Sequence, residues 1–187
     1  NVPYKFSKFR MLYRKIIDPL MVKNSTFITT VSECSKRDII KFCGAEENKI
    51  QVIANAADRL RFKKYDEVTV KTCLSKYHLE YKNYCLFVGT IDYPGKNIMS
   101  ALKAFINLKE KSDIKEKMVI VGKKGFNSEV IYDFVGKSKY KQDIIFTGYL
   151  PDEDLPLVYA GAKVMIYLSY YEGFGLPIIE GIQCGLP

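Results

Sequence analysis

Short apolar runs alternate with helical patterns over the second half of the chain. Four runs are nearly continuous and rich in β-branched and aromatic residues: Tyr84–Gly89, Met118–Gly122, Ile144–Gly148 and Lys163–Leu168. Buried parallel strands have this composition, because both faces of a parallel sheet are covered. Apolar residues recur at helical spacing in the segments between the runs, which are Asn97–Lys109, Ser128–Val135 and Asp152–Ala160. The alternation predicts an α/β fold with a doubly wound parallel sheet.

The first third of the chain repeats the alternation incompletely. We predict a basic helix over about 8–22, then a strand at Thr26–Val31, a helix from Ser32 to about Phe42 and a strand at Ile50–Ala54. Ser32 is a suitable N-cap for the second helix, and Gly44 is a suitable terminator. Two strands cannot enclose a core of their own. We therefore interpret residues 1–54 as the tail end of a preceding α/β domain, 55–83 as an interdomain linker with a short helix, and 84–187 as a truncated sheet domain.

Composition and charge narrow the class of protein. The 187 residues are 48% hydrophobic and 27% charged, which is typical of a globular chain. No run approaches the roughly 18 apolar residues of a membrane span. The five cysteines are odd in number and lack zinc spacing, so we expect reduced thiols, and no zinc site, in a cytoplasmic protein.

The net charge of +8 is concentrated at the start of the chain. Residues 1–23 contain six basic side chains and one acidic one, Asp18. A solvated basic helix face is the simplest interpretation, and contact with an anionic membrane surface is the alternative. No nucleic-acid-binding motif accompanies these charges, so we do not expect a nucleic-acid partner.

The most informative stretch runs from Tyr170 to Gly181, where the last apolar run leads into the last helix. Pro177 suits a first helical turn, and the amides of Phe174, Gly175 and Leu176 precede it without obvious partners. A helix N-terminus with bare amides can bind a phosphate or a sugar hydroxyl, and Gly173 and Gly175 allow close approach.

Two carboxylates eight positions apart, Glu172 and Glu180, flank this turn. Carboxylates accept hydrogen bonds from vicinal hydroxyls, such as those of sugar and ribose rings. On these residues alone, an ordinary strand-to-helix turn with Glu180 as a helix acid is equally acceptable.

The stretch resembles the E-x7-E signature of the retaining GT-B glycosyltransferases of group 1 (family 4). Four more segments resemble motifs of that family in the same order: Thr30–Lys36 (TVSECSK), Val52–Asp58 (VIANAAD), Phe87–Asn97 (FVGTIDYPGKN) and Ile145–Leu155 (IFTGYLPDEDL). The resemblance covers most of the chain. It implies a Rossmann-like, nucleotide-sugar-binding C-terminal half of a GT-B enzyme, with 1–54 belonging to the acceptor-side domain and 84–187 to the donor-binding domain.

The resemblance also implies roles for individual residues. Glu172 would orient hydroxyls of the donor sugar, and the amides of Gly173, Phe174, Gly175 and Leu176 would hold sugar and diphosphate. Glu180 would bind the ribose hydroxyls, and the backbone near Tyr149 would meet the nucleobase. Lys96 would neutralise the diphosphate leaving group; a lysine at a helix N-terminus independently indicates an anion. Gly89 and Thr90 belong to the same implied donor site. Lys123 could contribute to neutralising the diphosphate, although an exposed lysine in a turn is its simpler interpretation.

Two departures from the family pattern bear on these roles. The family usually has an arginine before the lysine that corresponds to Lys96, at the position of Thr90 or Gly95. This chain therefore has fewer cationic side chains to neutralise the diphosphate. Ala56 replaces a usual glycine where the chain crosses between domains.

The function implied by the resemblance is retaining, metal-independent transfer of a sugar from a GDP-, UDP- or dTDP-sugar to a glycan or lipid-linked acceptor in surface polysaccharide synthesis. The resemblance implies no cofactor and no metal, because the nucleotide-sugar is itself the substrate. We expect a cytoplasmic protein that is peripheral at the inner face of the membrane. We also expect residues 1–187 by themselves to bind nucleotide but to transfer little sugar. The alternative is a non-catalytic nucleotide-sugar-binding module or regulatory subunit. A dinucleotide-dependent oxidoreductase is disfavoured, because no G-x-G-x-x-G follows a strand.

Overall fold

The computed structural model of the protein describes residues 8–187. The chain divides into two compact units, each described here by itself. The first comprises residues up to Ala56 together with Tyr171–Gly175, and the second comprises Ala57–Tyr170 and Leu176–Pro187. The helices are α1 (Lys8–Asn24), α2 (Glu33–Cys43), α3 (Glu67–Ser75), α4 (Ile98–Lys111), α5 (Ser128–Gly136), α6 (Leu155–Gly161) and α7 (Leu176–Gln183). The strands are β1 (Ile28–Thr30), β2 (Ile50–Val52), β3 (Tyr84–Val88), β4 (Lys117–Val121), β5 (Ile144–Gly148) and β6 (Val164–Met165).

The first unit contains a two-stranded parallel sheet. β1 pairs with β2 in the register Ile28↔Ile50. The predicted caps of α2 are confirmed: the Ser32 side chain accepts from the Ser35 amide, and Gly44 is left-handed at φ +69° with its amide bonded to the Ile40 carbonyl.

The predicted basic helix is present as α1, although the start of the basic stretch, residues 1–7, lies outside the described residues. Several large apolar side chains on α1 are exposed, including Phe9, Leu12 and Ile16. None of the described helices combines the length and the apolar composition that a membrane span requires. Contact with a membrane surface stays a prediction.

The second unit is built on a four-stranded sheet of order β5-β4-β3-β6, and every pairing in it is parallel. Side chains of successive residues point to opposite faces, as the pleat of a strand requires. Leu86 and Val119 belong to the core that α3 and α6 cover, whereas Phe87 and Ile120 belong to the core that α4 and α5 cover. The predicted α/β fold with a doubly wound parallel sheet is confirmed.

The segment that the sequence analysis assigned to a linker, residues 55–83, contributes to the core of the second unit instead. Its helix α3 buries Val70, Cys73 and Leu74. A side-chain carbon placed on Gly161 of α6 would lie 2.6 Å from Leu74, so a glycine at this position lets the two helices approach closely. The short apolar stripe of α3 is diluted by charged neighbours, which is why composition alone suggested a linker.

The last strand is shorter than the predicted run Lys163–Leu168. Only Val164 and Met165 form β6. This strand lies at the edge of the sheet and pairs with one neighbour, β3. One further backbone bond, from the Ile166 amide to the Leu86 carbonyl at 2.8 Å, follows before the chain leaves the sheet. The predicted apolar run therefore continues beyond the end of the strand.

Candidate functional site

Three strands of the second unit end on glycines, and one of these, Gly122, allows two turns to approach closely. Gly122, after β4, has φ +149°, and a side-chain carbon placed on it would lie 2.0 Å from the carbonyl oxygen of Gly89, after β3. The Gly122 amide donates to the carbonyl of Gly148, at the end of β5, at 2.9 Å. The carboxyl ends of β3, β4 and β5 therefore form one continuous edge, with bare backbone where side chains would otherwise stand.

A cavity of about 190 Å³ lies at this edge; we call it the strand-end cavity. Four predicted donor-site residues line it together: Gly89, Thr90, Lys123 and Tyr149. Its apolar lining comes from strand ends and the start of α6, namely Val88, Val121, Leu150 and Leu155. Ligands of open parallel sheets bind outside the carboxyl ends of the strands, which is where this cavity is found.

Asp152 also lines the strand-end cavity, and the sequence analysis did not single it out. Its Oδ1 accepts hydrogen bonds from the Tyr149 hydroxyl at 3.1 Å and from Arg61 Nη2 at 2.9 Å. The bond to Asp152 raises the pKa of the Tyr149 phenol, so the phenol stays protonated as a donor. The position of Asp152, three residues after Tyr149 in a turn rich in acids, was the available signal.

Lys96 lies in the turn between β3 and α4, two residues before α4 begins at Ile98. The side chain of Asp92, which is 2% exposed, accepts a 2.8 Å hydrogen bond from the Lys96 amide. This bond fixes the conformation of the turn. The backbone pairing between β3 and β4 continues into the turns that follow these strands. The Ile91 amide donates to the Lys123 carbonyl and the Gly125 amide donates to the Ile91 carbonyl, both at 2.9 Å. Sequence reasoning missed Asp92.

Gly95 explains one departure from the family pattern. A side-chain carbon at this position would lie 3.0 and 3.1 Å from the two carboxylate oxygens of Asp92. An arginine there would require Asp92 to move, so the chain has no ready space for it.

Glu180 is the fifth residue of α7, and its carboxylate is held from within the second unit. Its Oε2 accepts a 2.9 Å hydrogen bond from the hydroxyl of Tyr159, a fully buried residue of α6. Burial, followed by the charge of Glu180, raises the pKa of Tyr159. The hydroxyl therefore stays protonated and acts as the hydrogen-bond donor. The sequence analysis missed Tyr159 because its position on α6 reads simply as core.

The loop Tyr171–Gly175 belongs to the first unit. The Tyr171 hydroxyl donates to Asp38 Oδ2 of α2 at 2.6 Å, and this bond raises the pKa of Tyr171 to about 12. A side-chain carbon on Gly173 would meet Val31 and Ser35 at 3.5 and 3.7 Å, which is ordinary contact. Glu172 and Phe174 are half-buried in the same loop.

The two ends of the predicted E-x7-E stretch are thus assigned to different units. Glu172, Gly173, Phe174 and Gly175 fall in the first, whereas Leu176, the first residue of α7, and Glu180 fall in the second. Gly175 is buried with φ +89°, a conformation that suits glycine just before a helix. The ligand contacts assigned to these residues stay predictions. Within residues 8–187, no group of three histidine, cysteine or acidic side chains is arranged to hold a metal ion.

Comparison with known proteins identifies relatives over most of the chain. Residues 75–187 match the family model described as glycosyl transferases group 1. The O-antigen chain mannosyltransferase B of Escherichia coli is 34% identical over 166 residues, which are 88% of this chain and 42% of the relative. The O-antigen chain mannosyltransferase RfbU of Salmonella typhimurium is 28% identical over 98% of this chain and 47% of its own length. The chain therefore spans about half the length of these curated relatives.

Solved structures share the fold over the whole chain. The crystal structure of Anabaena Alr3699/HepE in complex with UDP-glucose superposes with a TM-score of 0.78 at 17% identity, covering 99% of this chain and 49% of that one. The structure of WaaG, a glycosyltransferase involved in lipopolysaccharide biosynthesis, gives a TM-score of 0.73 at 16% identity, over 100% of this chain and 51% of that one. At these identities the similarity shows a common fold.

Proposed function

The chain belongs to the group 1 glycosyltransferases, and from this premise we propose that it is the donor-binding half of an enzyme that transfers mannose from a nucleotide donor to a surface polysaccharide. Two curated relatives are O-antigen mannosyltransferases, which supports both the sugar and the class of acceptor. A glycan or lipid-linked glycan is the acceptor we expect, with transfer in the cytoplasm.

The strand-end cavity is the observation that carries this proposal. It brings Gly89, Thr90, Lys123 and Tyr149 together at the carboxyl ends of β3, β4 and β5. Its volume of about 190 Å³ is below the roughly 300–1,000 Å³ of sites for drug-sized ligands, and therefore suits one ring system. We assign the nucleobase to this cavity, the ribose hydroxyls to Glu180, and the sugar and diphosphate to Glu172 and the amides that precede α7.

The proposed chemistry is electrostatic. As the bond between the sugar and the diphosphate breaks, negative charge develops on the β-phosphate, and the Lys96 ammonium stabilises it. The acceptor oxygen forms the new bond on the same face of the sugar, and its proton passes to the departing diphosphate. Configuration at the anomeric carbon is then retained, and the step requires no metal.

Turnover by the complete transferase tests the proposal. Mannose linked to GDP, UDP or dTDP would be supplied with a polysaccharide acceptor, with and without a chelator, and the anomeric configuration of the product read by NMR. We expect a mannosylated product of retained configuration in both conditions. Glu172→Gln and Glu180→Gln should each lower kcat/KM more than tenfold, whereas Glu153→Gln, an exposed acid on another loop, should not.

Three results would contradict parts of this picture. Nucleotide binding without any turnover would favour the non-catalytic binding module. A loss below tenfold in the Glu172 and Glu180 variants would remove the roles assigned to those carboxylates. Inversion of configuration would overturn the mechanism while leaving the family assignment intact.

A further inference from the structure

Two carboxylates are buried in the described part of the chain, at Asp92 and at Asp154. A buried carboxylate is costly to desolvate and therefore needs hydrogen-bond donors in fixed positions. The donors to Asp154 come from α3 and the two residues that follow it, which explains Asp154 as a structural group. Asp92 differs, because it accepts a hydrogen bond from the amide of Lys96, the residue to which we assign the leaving diphosphate.

We infer that Asp92 is a positioning residue for Lys96 in the sugar-transfer step. This inference rests on the proposed function, since the role of Lys96 comes from it. Asp92 lies four residues before Lys96, and the 2.8 Å bond from the Lys96 amide to Asp92 Oδ1 closes the turn between them. The bond fixes the backbone from which the Lys96 side chain extends, and so it limits the region that the ammonium can reach.

The backbone on both sides of Asp92 is bonded to the turn that follows β4. The Tyr93 amide donates to the Phe126 carbonyl at 2.9 Å, and Ile91 both donates to and accepts from the same turn. Asp92 is therefore held in place by the sheet and its neighbouring turn. Its bond to Lys96 extends this rigid backbone to the residues just before α4.

Two glycines leave the space that the Asp92 side chain occupies. A side-chain carbon on Gly95 would lie 3.0 and 3.1 Å from the two carboxylate oxygens, and one on Gly125 would lie 3.2 Å from Asp92 Cβ. All three distances are shorter than ordinary van der Waals contact. The position of the carboxylate is therefore set by packing as well as by its hydrogen bond.

The placement of Lys96 is critical in this chain because no second cation shares its turn. Between Gly89 and Asn97, Lys96 is the one basic residue in the sequence. An arginine at position 95 would collide with the carboxylate of Asp92. Stabilisation of a developing charge depends on a charged group that is already in place, so this turn offers no substitute for a misplaced ammonium.

A double-mutant cycle on the complete transferase tests the inference, with kcat and the donor KM measured for each variant. Asp92→Ala removes the acceptor of the Lys96 amide. We expect kcat to fall about tenfold to hundredfold and the donor KM to change less than about threefold, because the charge is needed in the transition state. In the Lys96→Met background, Asp92→Ala should change kcat less than about twofold, since the side chain that Asp92 positions is then absent.

Asp92→Asn separates the hydrogen bond from the charge. Asparagine keeps an acceptor oxygen on a side chain of the same shape, so the bond from the Lys96 amide can form. We expect kcat of Asp92→Asn to stay within about threefold of the parent. This recovery relative to Asp92→Ala would assign the effect to the bond.

Gly95→Ala provides a second cycle in which Asp92 is retained. The new carbon would displace the carboxylate oxygens and weaken the bond to the Lys96 amide. We expect kcat to fall about threefold to tenfold in the parent and less than about twofold in the Lys96→Met background. This cycle decides the question if Asp92→Ala does not fold.

Asp154→Ala is the matched control, because it removes the other buried carboxylate of the second unit. It should lower the melting temperature. At temperatures where the variant is folded, its kcat should stay within about twofold of its own background, with or without Lys96.

The outcomes separate this inference from the proposed function. Equal losses from Asp92→Ala with and without Lys96 would overturn the inference and leave the role of Lys96 intact, since Asp92 would then act through the fold. An unchanged kcat in Asp92→Ala, or equal losses in Asp92→Ala and Asp92→Asn, would also overturn it. Absence of turnover by the parent transferase would overturn the proposed function together with this inference.

Discussion

The hydroxyl of Tyr159 donates a 2.9 Å hydrogen bond to Oε2 of Glu180, which joins the buried face of α6 to a carboxylate on α7. Tyr159 is fully buried and its pKa is raised, first by burial and then by the charge of Glu180. The bond therefore holds one carboxylate oxygen in a fixed direction. Among the described residues none donates to Oε1, which is the oxygen that would meet a ribose hydroxyl in the proposed site.

Tyr159→Phe removes the donor and leaves the ring in the core. We expect nucleotide affinity to fall about threefold to tenfold, because Glu180 loses the bond that orients it, and stability to fall by about 1 kcal/mol. Calorimetric titration with the preferred nucleoside diphosphate and urea unfolding measure the two effects.

Tyr84→Phe is the matched control for this variant. Tyr84 is also buried, and its hydroxyl donates at 2.6 Å to the carbonyl of Val158 and not to Glu180. This change should cost similar stability and leave nucleotide affinity unchanged. If both variants weaken binding equally, Tyr159 acts through core stability and has no orienting role.

Gly122→Ala should disrupt the turn that closes the strand-end cavity. The new carbon would lie 2.0 Å from the Gly89 carbonyl oxygen, at a residue with φ +149°, so both the turn after β3 and the backbone of Gly122 must move. We expect a loss of about 3 kcal/mol in the free energy of unfolding and loss of nucleotide binding. Thermal unfolding and titration provide the readouts.

Gly136→Ala is the comparison that separates this steric clash from the general effect of replacing glycine. Gly136 is the last residue of α5, and nothing lies within 4 Å of a side-chain carbon placed there. Stability should stay the same or rise by up to about 1 kcal/mol, because alanine restricts the unfolded chain. Equal destabilisation by both substitutions would contradict the close approach at Gly122.

The central strands β3 and β4 could be predicted from sequence because burial on both faces leaves an unbroken apolar run. The same reasoning failed where burial is partial. The helix α3 buries only Val70, Cys73 and Leu74 among its nine residues, so its charged remainder suggested a linker. The length of β6 was overestimated because an apolar run does not set how far the backbone pairs: Leu168, at the end of the run, is exposed and lies outside the strand.

Part of the candidate site could also be predicted from sequence. The motifs located Gly89, Thr90 and Tyr149, and Lys123 was named as the turn lysine that follows the run Met118–Gly122. The fold brings all four residues to one cavity. Asp92, Asp152 and Tyr159 were missed, because each matters through a contact with a residue that the motif already contained. Such contacts depend on how turns and helices pack, and neither spacing nor composition encodes that directly.

Lys96→Met tests the electrostatic role proposed for the turn before α4. We expect kcat of the complete transferase to fall about a hundredfold to a thousandfold with a smaller change in the donor KM, because the charge on the leaving diphosphate develops in the transition state. Lys103→Met removes the same charge from an exposed position on α4 and should leave kcat within about twofold of the parent. Equal losses in the two variants would show that overall charge, and not Lys96, governs the rate.

Asp154 makes the stability of the second unit depend on pH. The carboxylate is 7% exposed and accepts hydrogen bonds from Tyr77 at 2.6 Å, Lys76 at 2.9 Å and Cys73 at 3.3 Å, which join α3 to the start of α6. Burial by itself would raise the pKa of Asp154, but the three donors outweigh it, and the pKa lies below its ordinary value of 3.8. Ionised Asp154 therefore stabilises the folded chain above about pH 4, and this contribution disappears as pH falls through the folded pKa.

Asp154→Asn should lower the free energy of unfolding at pH 7 by about 2 kcal/mol, because donors to a charged acceptor lose most of their partner. The difference from the parent should shrink as pH is lowered from 5 to 3, since protonation removes the same charge from Asp154. Urea unfolding at pH 7, 5, 4 and 3 measures this convergence, and Glu153→Gln, at the exposed neighbour, should follow the parent curve throughout. A constant gap between Asp154→Asn and the parent across that range would show that Asp154 contributes through shape and hydrogen bonding, with no linkage to its ionisation.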